Sequence, residues 1–246
     1  MAPMHPASAL RRLFHSARPR QTLWSFLDTA SPSVYRYAEQ NSSPEPPVLS
    51  TLRLAAIAQD PADAQKMISP LQAAFLAHLV RIQNPRTILE LGAYKGYSAL
   101  CLAHAASAHA RLWSCERDPD IADTARQNIA DAGYAHSVTV LSATADDTLR
   151  DWDRSMKLDF VFIDANKAAY QRYYNYILDN DLLADNAQIV VDNVLLHGNV
   201  HSLQPTSSKK SIAQKLNAFN AYVASDSRTV STLLPIFDGV LIATKK

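Results

Sequence analysis

The chain predicts an α/β fold: a doubly wound, mostly parallel seven-stranded sheet with helices on both faces and an antiparallel hairpin strand at its C-terminal end. Three observations carry this. From Thr87 onward, short continuous apolar runs alternate with helical stretches, the pattern of parallel strands covered on both faces. The last two apolar runs flank Phe237-Asp238-Gly239, and Asp-Gly between such runs marks a hairpin. Only five glycines occur, and three of them, Gly92, Gly96 and Gly198, fall in loops that follow candidate strands.

Residues 1–47 read as an extension, partly helical or disordered, ending in the Pro- and Ser-rich break from Asn41 to Pro47. Residues 48–246 read as a single domain. A helix is expected from Leu49 to Ala58, and a second from Pro70 to about Ile82, with Ser69 as its cap and proline at its first position. Candidate strands then run Thr87–Leu91, Arg111–Cys115, Val138–Leu141, Asp159–Ile163 and Gln188–Val191. Helices near Tyr97–Ala106, Ile121–Ala132 and Ala168–Leu178 lie between them, giving right-handed crossovers. A helix from Ser211 to about Ala224 and strands Val230–Ile236 and Val240–Thr244 close the chain. The helical spacing of Tyr170, Tyr173, Tyr174 and Tyr176 makes most of them packing residues.

A net charge of +1 over 246 residues gives no reason to expect nucleic acid or a membrane surface as a partner. No apolar run approaches the ~18 residues that span a bilayer. Cys101 and Cys115 fall inside predicted core elements, as expected of reduced thiols in a cytoplasmic protein. The start of the chain carries Arg11, Arg12, Arg18 and Arg20 but no acid before Asp28. A mitochondrial transit peptide has that composition, and the plainer reading is a basic extension.

Glu90-Leu91-Gly92 ends the first strand and Gly96-Tyr97-Ser98 opens the next helix, whose unpaired N–H groups face the intervening loop. Glu116 stands just past the second strand, twenty residues after Gly96, where a carboxylate can accept both ribose hydroxyls of a nucleoside. The dinucleotide fingerprint needs a third glycine for its pyrophosphate. Here Gly92 and Gly96 stand four apart and none follows, so a phosphate cradle is disfavoured. A wider loop with an acid suits S-adenosylmethionine, whose sulfonium and amino groups are positive. Beyond two further strands come Asp164 and Asp192-Asn193. Three oxygen donors outside the carboxyl ends of a parallel sheet suit a hard divalent cation, Mg2+ first, with Mn2+ or Ca2+ as alternatives. Lys167, three residues past Asp164, can handle a proton. His197 and His201, in the loop after the Asp192 strand, could line a substrate pocket, but loop histidines are usually solvated and they are read so here.

Glu90-Leu91-Gly92-Ala93-Tyr94-Lys95-Gly96-Tyr97-Ser98, Asp164-Ala165-Asn166-Lys167-Ala168-Ala169-Tyr170, Asp192-Asn193-Val194-Leu195 and Leu234-Pro235-Ile236-Phe237-Asp238-Gly239 together resemble the cation-dependent O-methyltransferases of the caffeoyl-CoA and catechol type. The resemblance runs from about Ile68 to the C-terminus. It implies a Rossmann-like, S-adenosylmethionine-dependent enzyme that methylates a hydroxyl of a catechol-like, vicinal dihydroxy aromatic with the help of a divalent metal. It also implies a homodimer. By the same resemblance the metal ligands are Asp164, Asp192 and Asn193, and Lys167 with Asp164 forms the catalytic pair. Glu90, Gly92, Tyr94, Gly96, Ser98, Glu116, Ala145 and Asp164 surround the cofactor, Met67 lies in a segment over it, and Asn220 sits near the substrate. The chain departs from the family pattern at Asn166, where many members carry Asp, and at Thr144, where Asp or Pro is common. Two other functions stay open: a nicotinamide-dependent oxidoreductase, against which the missing third glycine argues, and a non-catalytic S-adenosylmethionine-binding protein, against which the intact Asp164, Lys167, Asp192 and Asn193 argue.

Overall fold

The computed structural model of the chain describes residues 32–201 and 210–246, so the basic start with Arg11, Arg12, Arg18 and Arg20 lies outside the described residues. Helices α1 (Pro32–Gln40) and α2 (Pro47–Gln59) precede a single 3-10 turn, Ala64–Lys66, and α3 (Pro70–Gln83). The sheet region then runs β1 (Thr87–Leu91), α4 (Tyr97–Ala105), β2 (Arg111–Glu116), α5 (Pro119–Asp131), β3 (Val138–Ser142), α6 (Ala145–Arg150) and β4 (Leu158–Ile163). A second 3-10 turn, Lys167–Ala169, leads into α7 (Tyr170–Asp179), followed by β5 (Leu183–Val191), α8 (Lys210–Ser225), β6 (Thr229–Leu234) and β7 (Val240–Lys245).

All seven strands join one sheet in the order β3-β2-β1-β4-β5-β7-β6. The first five are parallel, and β7 runs antiparallel to both β5 and β6. Side chains of a strand alternate between faces, and here both faces are apolar. Ile88, Phe160, Phe162 and Val190 enter one half-core with α2, α3 and α4. Leu89, Leu91, Val161, Ile163, Ile189 and Val191 enter the other with α7 and α8. This double burial is why the strands read as continuous apolar runs. Tyr170, Tyr173 and Tyr174 are buried in the second half-core, as their spacing predicts. Among the described residues no helix is long and apolar enough to cross a membrane.

Caps set the helix starts. The Ser69 hydroxyl accepts from Gln72 N at 3.1 Å, with Pro70 at the first position of α3. Asp118 Oδ1 accepts from Asp120 N and Ile121 N at 3.0 and 3.3 Å, so α5 starts at Pro119 rather than Ile121. Helix α6 has no counterpart in the apolar pattern because six residues are too few for a periodic signal. Its start was still written in the chain: Thr144 Oγ1 accepts from Asp147 N at 3.1 Å, the side-chain capping that Ser and Thr favour.

Strand β5 begins five residues earlier than the sequence predicts. Leu183 pairs with Leu158, the register then shifts, and pairing resumes at Gln188 opposite Phe160. The interruption falls at Asp185 and Asn186, both exposed, with Asn186 at φ 58°. Strand β6 ends at Leu234, not Ile236, because Pro235 has no N–H for the ladder. The hairpin is real, but its loop is the five residues from Pro235 to Gly239, with Phe237 at φ 56° and Gly239 at φ 82°. That loop packs against the segment after β5: Val194 N donates to Gly239 O at 3.1 Å and Leu195 N to Asp238 O at 2.9 Å.

The N-terminal elements are anchored by one ionic cluster. Glu45 accepts the Tyr97 hydroxyl at 2.6 Å and takes Arg53 in a two-point bond, with Nη2 to Oε2 at 2.5 Å. Tyr97 is the first residue of α4, so the segment before α2 is tied to the start of that helix. Burial first, with the Cys101 and Glu45 groups adding to it, pushes the Tyr97 phenol far up and keeps it a hydrogen-bond donor.

A Cβ on Gly239 would lie 2.9 Å from Leu195 N, at a backbone angle that L residues rarely adopt. Gly239→Ala is therefore expected to destabilise the protein by about 1–3 kcal/mol. Urea denaturation checks this, and a midpoint matching the wild type would show that the loop contact is dispensable.

Candidate functional site

The ends of three adjacent strands build the site. Leu91 of β1 stands opposite Ile163 of β4, and Ile163 opposite Val191 of β5. The ladder continues one residue further: Asp164 N donates to Leu91 O at 2.9 Å, and Asp192 N to Ile163 O at 3.0 Å. Two carboxylates thus leave the same edge of the sheet on neighbouring strands. The strand order reverses about β1, and open α/β sheets bind ligands at such a switch point. On the other flank Gly92 N and Ala93 N both donate to Cys115 O, at 3.1 and 2.9 Å, and fold the loop after β1 toward β2. Gly92 has φ 109°, and a Cβ there would lie 2.8 Å from the Asp164 carbonyl carbon. Only glycine lets this loop rest against Asp164.

A cavity of about 730 Å³ opens along this edge. Met67, from the linker before α3, lines it with Gly92, Tyr94, Ser98, Glu116 and Ala145 from the segments after β1, β2 and β3. Asp164, Lys167, Asp192 and Asn193, from the segments after β4 and β5, line it too. Glu90, Gly96 and Asn220 are not on its wall. Gly96 begins α4 and packs toward Ile129 and Ala125 of α5. Asn220 Nδ2 donates to Val194 O at 3.0 Å and ties α8 to the segment after β5.

Glu116 is held by two backbone donors, Tyr94 N on Oε2 at 3.0 Å and Asp118 N on Oε1 at 3.1 Å. The first bond comes from Tyr94 at φ 46°, a left-handed position that non-glycine residues seldom take. Glu90 lies one position before Leu91 on β1 and so points to the opposite face, under α4. It is fully buried and accepts the Ser114 hydroxyl on Oε2, while its Oε1 has no hydrogen-bond partner. Burial pushes its carboxyl up to about 7 against the pull of Ser114 and Ser98, with the Asp164 and Glu116 charges adding to the rise.

Asp192 is 2 % exposed. Burial, then the charge of Asp164, raises its carboxyl to about 7, although Lys167 works against the rise. The Gln72 amide faces Asp192, but its Nε2 closes no hydrogen bond. Lys167 Nζ lies 3.1 Å from Asp164 Oδ1 and 5.9 Å from the centre of the Tyr170 ring. Burial works to lower the Lys167 ammonium, but the charges of Asp164, Tyr170 and Asp192 together outweigh it and the net shift is upward. The protein side chains alone therefore favour the charged ammonium form.

Asn193, at φ 55°, follows Asp192 and donates its N–H to Asp192 Oδ1 at 2.7 Å. Among the described residues no group of three or more His, Cys, Asp and Glu is arranged to hold a metal. The donor set here is two carboxylates and one amide, all hard oxygens.

Several wall residues escaped the sequence reading, Gln72, Arg117, Tyr173 and His197 among them. His197 lines the cavity, its backbone N donates to Asp238 Oδ1 at 2.5 Å, and its Nδ1 lies 3.8 Å from Asp238 Oδ2. His201 is exposed and not on the wall. Nothing local separates these two histidines, because the residue that engages His197 comes from the β6–β7 loop, forty-one positions later.

The arrangement can therefore take a cationic nucleoside against buried carboxylates, hold a hard cation on adjacent strand ends, and manage a proton beside it. Known proteins similar to this chain in sequence and structure are methyltransferases. A family model described as O-methyltransferase matches residues 39–246. A catechol O-methyltransferase of Niastella koreensis is 32% identical over 186 residues, covering 73% of this chain and 82% of the relative. The SAH-bound methyltransferase of Podospora anserina has a TM-score of 0.80 at 28% identity, covering 100% of this chain and 98% of the other. An O-methyltransferase of Bacillus cereus in complex with SAH has a TM-score of 0.76 at 31% identity, covering 87% and 97%. The family match takes in every strand and every cavity residue named above, and the chain belongs to the O-methyltransferase family.

Proposed function

We propose that this protein transfers a methyl group from S-adenosylmethionine to one hydroxyl of a catechol-like, vicinal dihydroxy aromatic, with a divalent cation held by Asp164, Asp192 and Asn193. The observation that carries the proposal is the placement of Asp164 and Asp192 at matching positions past the ends of adjacent strands, inside one cavity with Glu116, Gly92 and Lys167.

The donor chemistry fits a cation. Mg2+ favours oxygen ligands in octahedral geometry and keeps open positions for substrate and water. Asp192 is held in its acid range only with difficulty because Asp164 and burial both oppose its charge, and a positive ion relieves both. When bound, the cation would favour the phenolate form of an acceptor whose ordinary pKa is ~10, and would take up the carboxylate charges that otherwise favour the Lys167 ammonium.

The chain's own residues do the rest. Glu116, immobilised by Tyr94 N and Asp118 N, offers its carboxylate to the ribose hydroxyls. Gly92, lacking a side chain, leaves the backbone open to the methionine end of the cofactor. Ser98, beside Glu90, meets the same end, and the buried Glu90 charge complements its cationic groups. Met67 and Ala145 close the cavity over the nucleoside. Lys167 Nζ, within reach of Asp164, takes the acceptor proton. Much of the rate gain comes from alignment, since well-oriented neighbours are worth ~7–11 kcal/mol.

Three outcomes are expected. Asp192→Ala lowers turnover by about 100-fold or more, and the wild type loses activity in EDTA and regains it with Mg2+; activity that persists in EDTA would remove the cation from the reaction. Lys167→Ala slows single-turnover methyl transfer by about 100-fold with little change in the Kd for S-adenosylmethionine, and an unchanged rate would take Lys167 out of the proton path. Glu90 gives the ligand-free fold a pH dependence that can be isolated by mutation. Its carboxyl rises from 4.5 to about 7, so its contribution to stability is complete below pH 4.5 and is lost as pH climbs through 7. Glu90→Gln should thus stabilise the ligand-free protein at pH 8 by about 2–3 kcal/mol and leave it unchanged at pH 4, as denaturation at the two pH values will test.

A further inference from the structure

Resting on the cation reading of the site, we infer that Gln72 is a positioning residue for the candidate cation ligand Asp192: its side-chain amide, buried at the start of α3, closes on the Asp192 carboxylate when that group is charged and leaves the remaining lone pairs for the cation.

The sheet itself brings the two side chains together. Phe162 of β4 and Val190 of β5 enter the half-core that also holds Ala73, Leu76 and Val80 of α3. Side chains alternate along a strand, so Asp164 and Asp192, two positions beyond Phe162 and Val190, leave on the same face. The ladder holds to that point, through Asp164 N to Leu91 O and Asp192 N to Ile163 O. Both carboxylates therefore emerge on the side of the sheet that α3 covers. Gln72 is in the first turn of that helix and lines the same cavity as the two acids.

Gln72 is firmly placed. Its backbone N–H is bound by Ser69 Oγ at 3.1 Å, Pro70 fixes the backbone between them, and both Ser69 and Gln72 are only 4% exposed. Its side-chain Nε2 nevertheless has no hydrogen-bond partner. An amide N–H shut away from water without an acceptor is costly, and buried polar groups are nearly always matched. The acceptor that the Gln72 amide faces is Asp192, itself buried. Asp192 Oδ1 already takes Asn193 N at 2.7 Å. With Gln72 as a second donor, the plane of the carboxylate is fixed.

An amide suits this post better than a cationic side chain. It donates N–H groups without neutralising the carboxylate, so the charge of Asp192 stays available to a metal. Lys167 shows the contrast, since its ammonium pairs with Asp164 at 3.1 Å. Hydrogen bonds to a ligating carboxylate orient it, and their loss weakens metal binding.

The test follows Mn2+, a paramagnetic probe, on the metal-stripped full-length protein without acceptor, with the Kd read from the electron paramagnetic resonance signal of the free ion. Gln72→Leu should raise that Kd by about 10–100-fold. The Kd for S-adenosylhomocysteine should not change. The melting temperature of the metal-free variant should not fall, because the substitution removes an unpartnered buried amide. Gln72→Met, unbranched like glutamine but without a donor, should show the same loss and serves if the Leu variant does not fold. A Mn2+ Kd equal to the wild type in either folded variant overturns the inference. So does a loss shared by Mn2+ affinity, S-adenosylhomocysteine affinity and the metal-free melting temperature, the mark of a merely structural residue. A wild type that binds no Mn2+ would strike instead at the cation reading, and this inference would fall with it.

Discussion

Two backbone hydrogen bonds govern the site: Asp164 N to Leu91 O and Asp192 N to Ile163 O. They extend the parallel ladder one rung past the apolar core and set two carboxylates on neighbouring strands at one edge. The surrounding features answer that placement. Gly92 is needed because its loop lies against the Asp164 carbonyl. Lys167 supplies a counter-charge to Asp164. Burial first, and then the charge of Asp164, push the Asp192 carboxyl up to about 7.

Charge is distributed very differently across the molecule. Surface pairs such as Arg126–Asp123 and Arg150–Asp147 join residues three apart on single helices, and exposed pairs of this kind contribute only ~0–1 kcal/mol. The half-buried Glu45–Arg53 pair with the Tyr97 hydroxyl is another matter, since it connects separate elements and anchors the N-terminal helices at the start of α4. At the strand ends the acids Glu90 and Asp192 are buried with raised pKa values, so their charged forms are opposed by burial and by neighbouring acids and would be favoured by a cation. Such a surface is complementary to cations.

The antiparallel end of the sheet contributes more than closure. Because β7 returns beside β5, the β6–β7 loop reaches the segment after β5, where Asp238 engages His197 and Gly239 packs on Leu195. The C-terminal hairpin therefore shapes the far end of the cavity, while the loops after β1 and β2 shape the near end.

Much of this was legible in the chain. The apolar runs from Thr87 to Val191 located five strands because both faces of each are buried, and the Asp-Gly pair announced the hairpin. The Gly92 loop, Glu116, Asp164, Lys167 and Asp192-Asn193 could be picked out because each follows a strand end, and a parallel sheet gathers strand ends at one edge. Local chemistry could not reveal what depends on distant partners. Asn220 Nδ2 binds Val194 O, twenty-six positions away, and His197 was passed over as solvated although it lines the wall and its N–H binds Asp238. The apolar run placed the start of β5 at Gln188, whereas Leu183 is recruited by Leu158 across the sheet, beyond the exposed Asp185 and Asn186. Sequence alone determines which residues can be strands, caps and ligands, since those depend on periodicity and side-chain chemistry. Which of them meet is decided only by the tertiary fold, because hydrogen-bond register and strand order bring together groups that the chain keeps far apart.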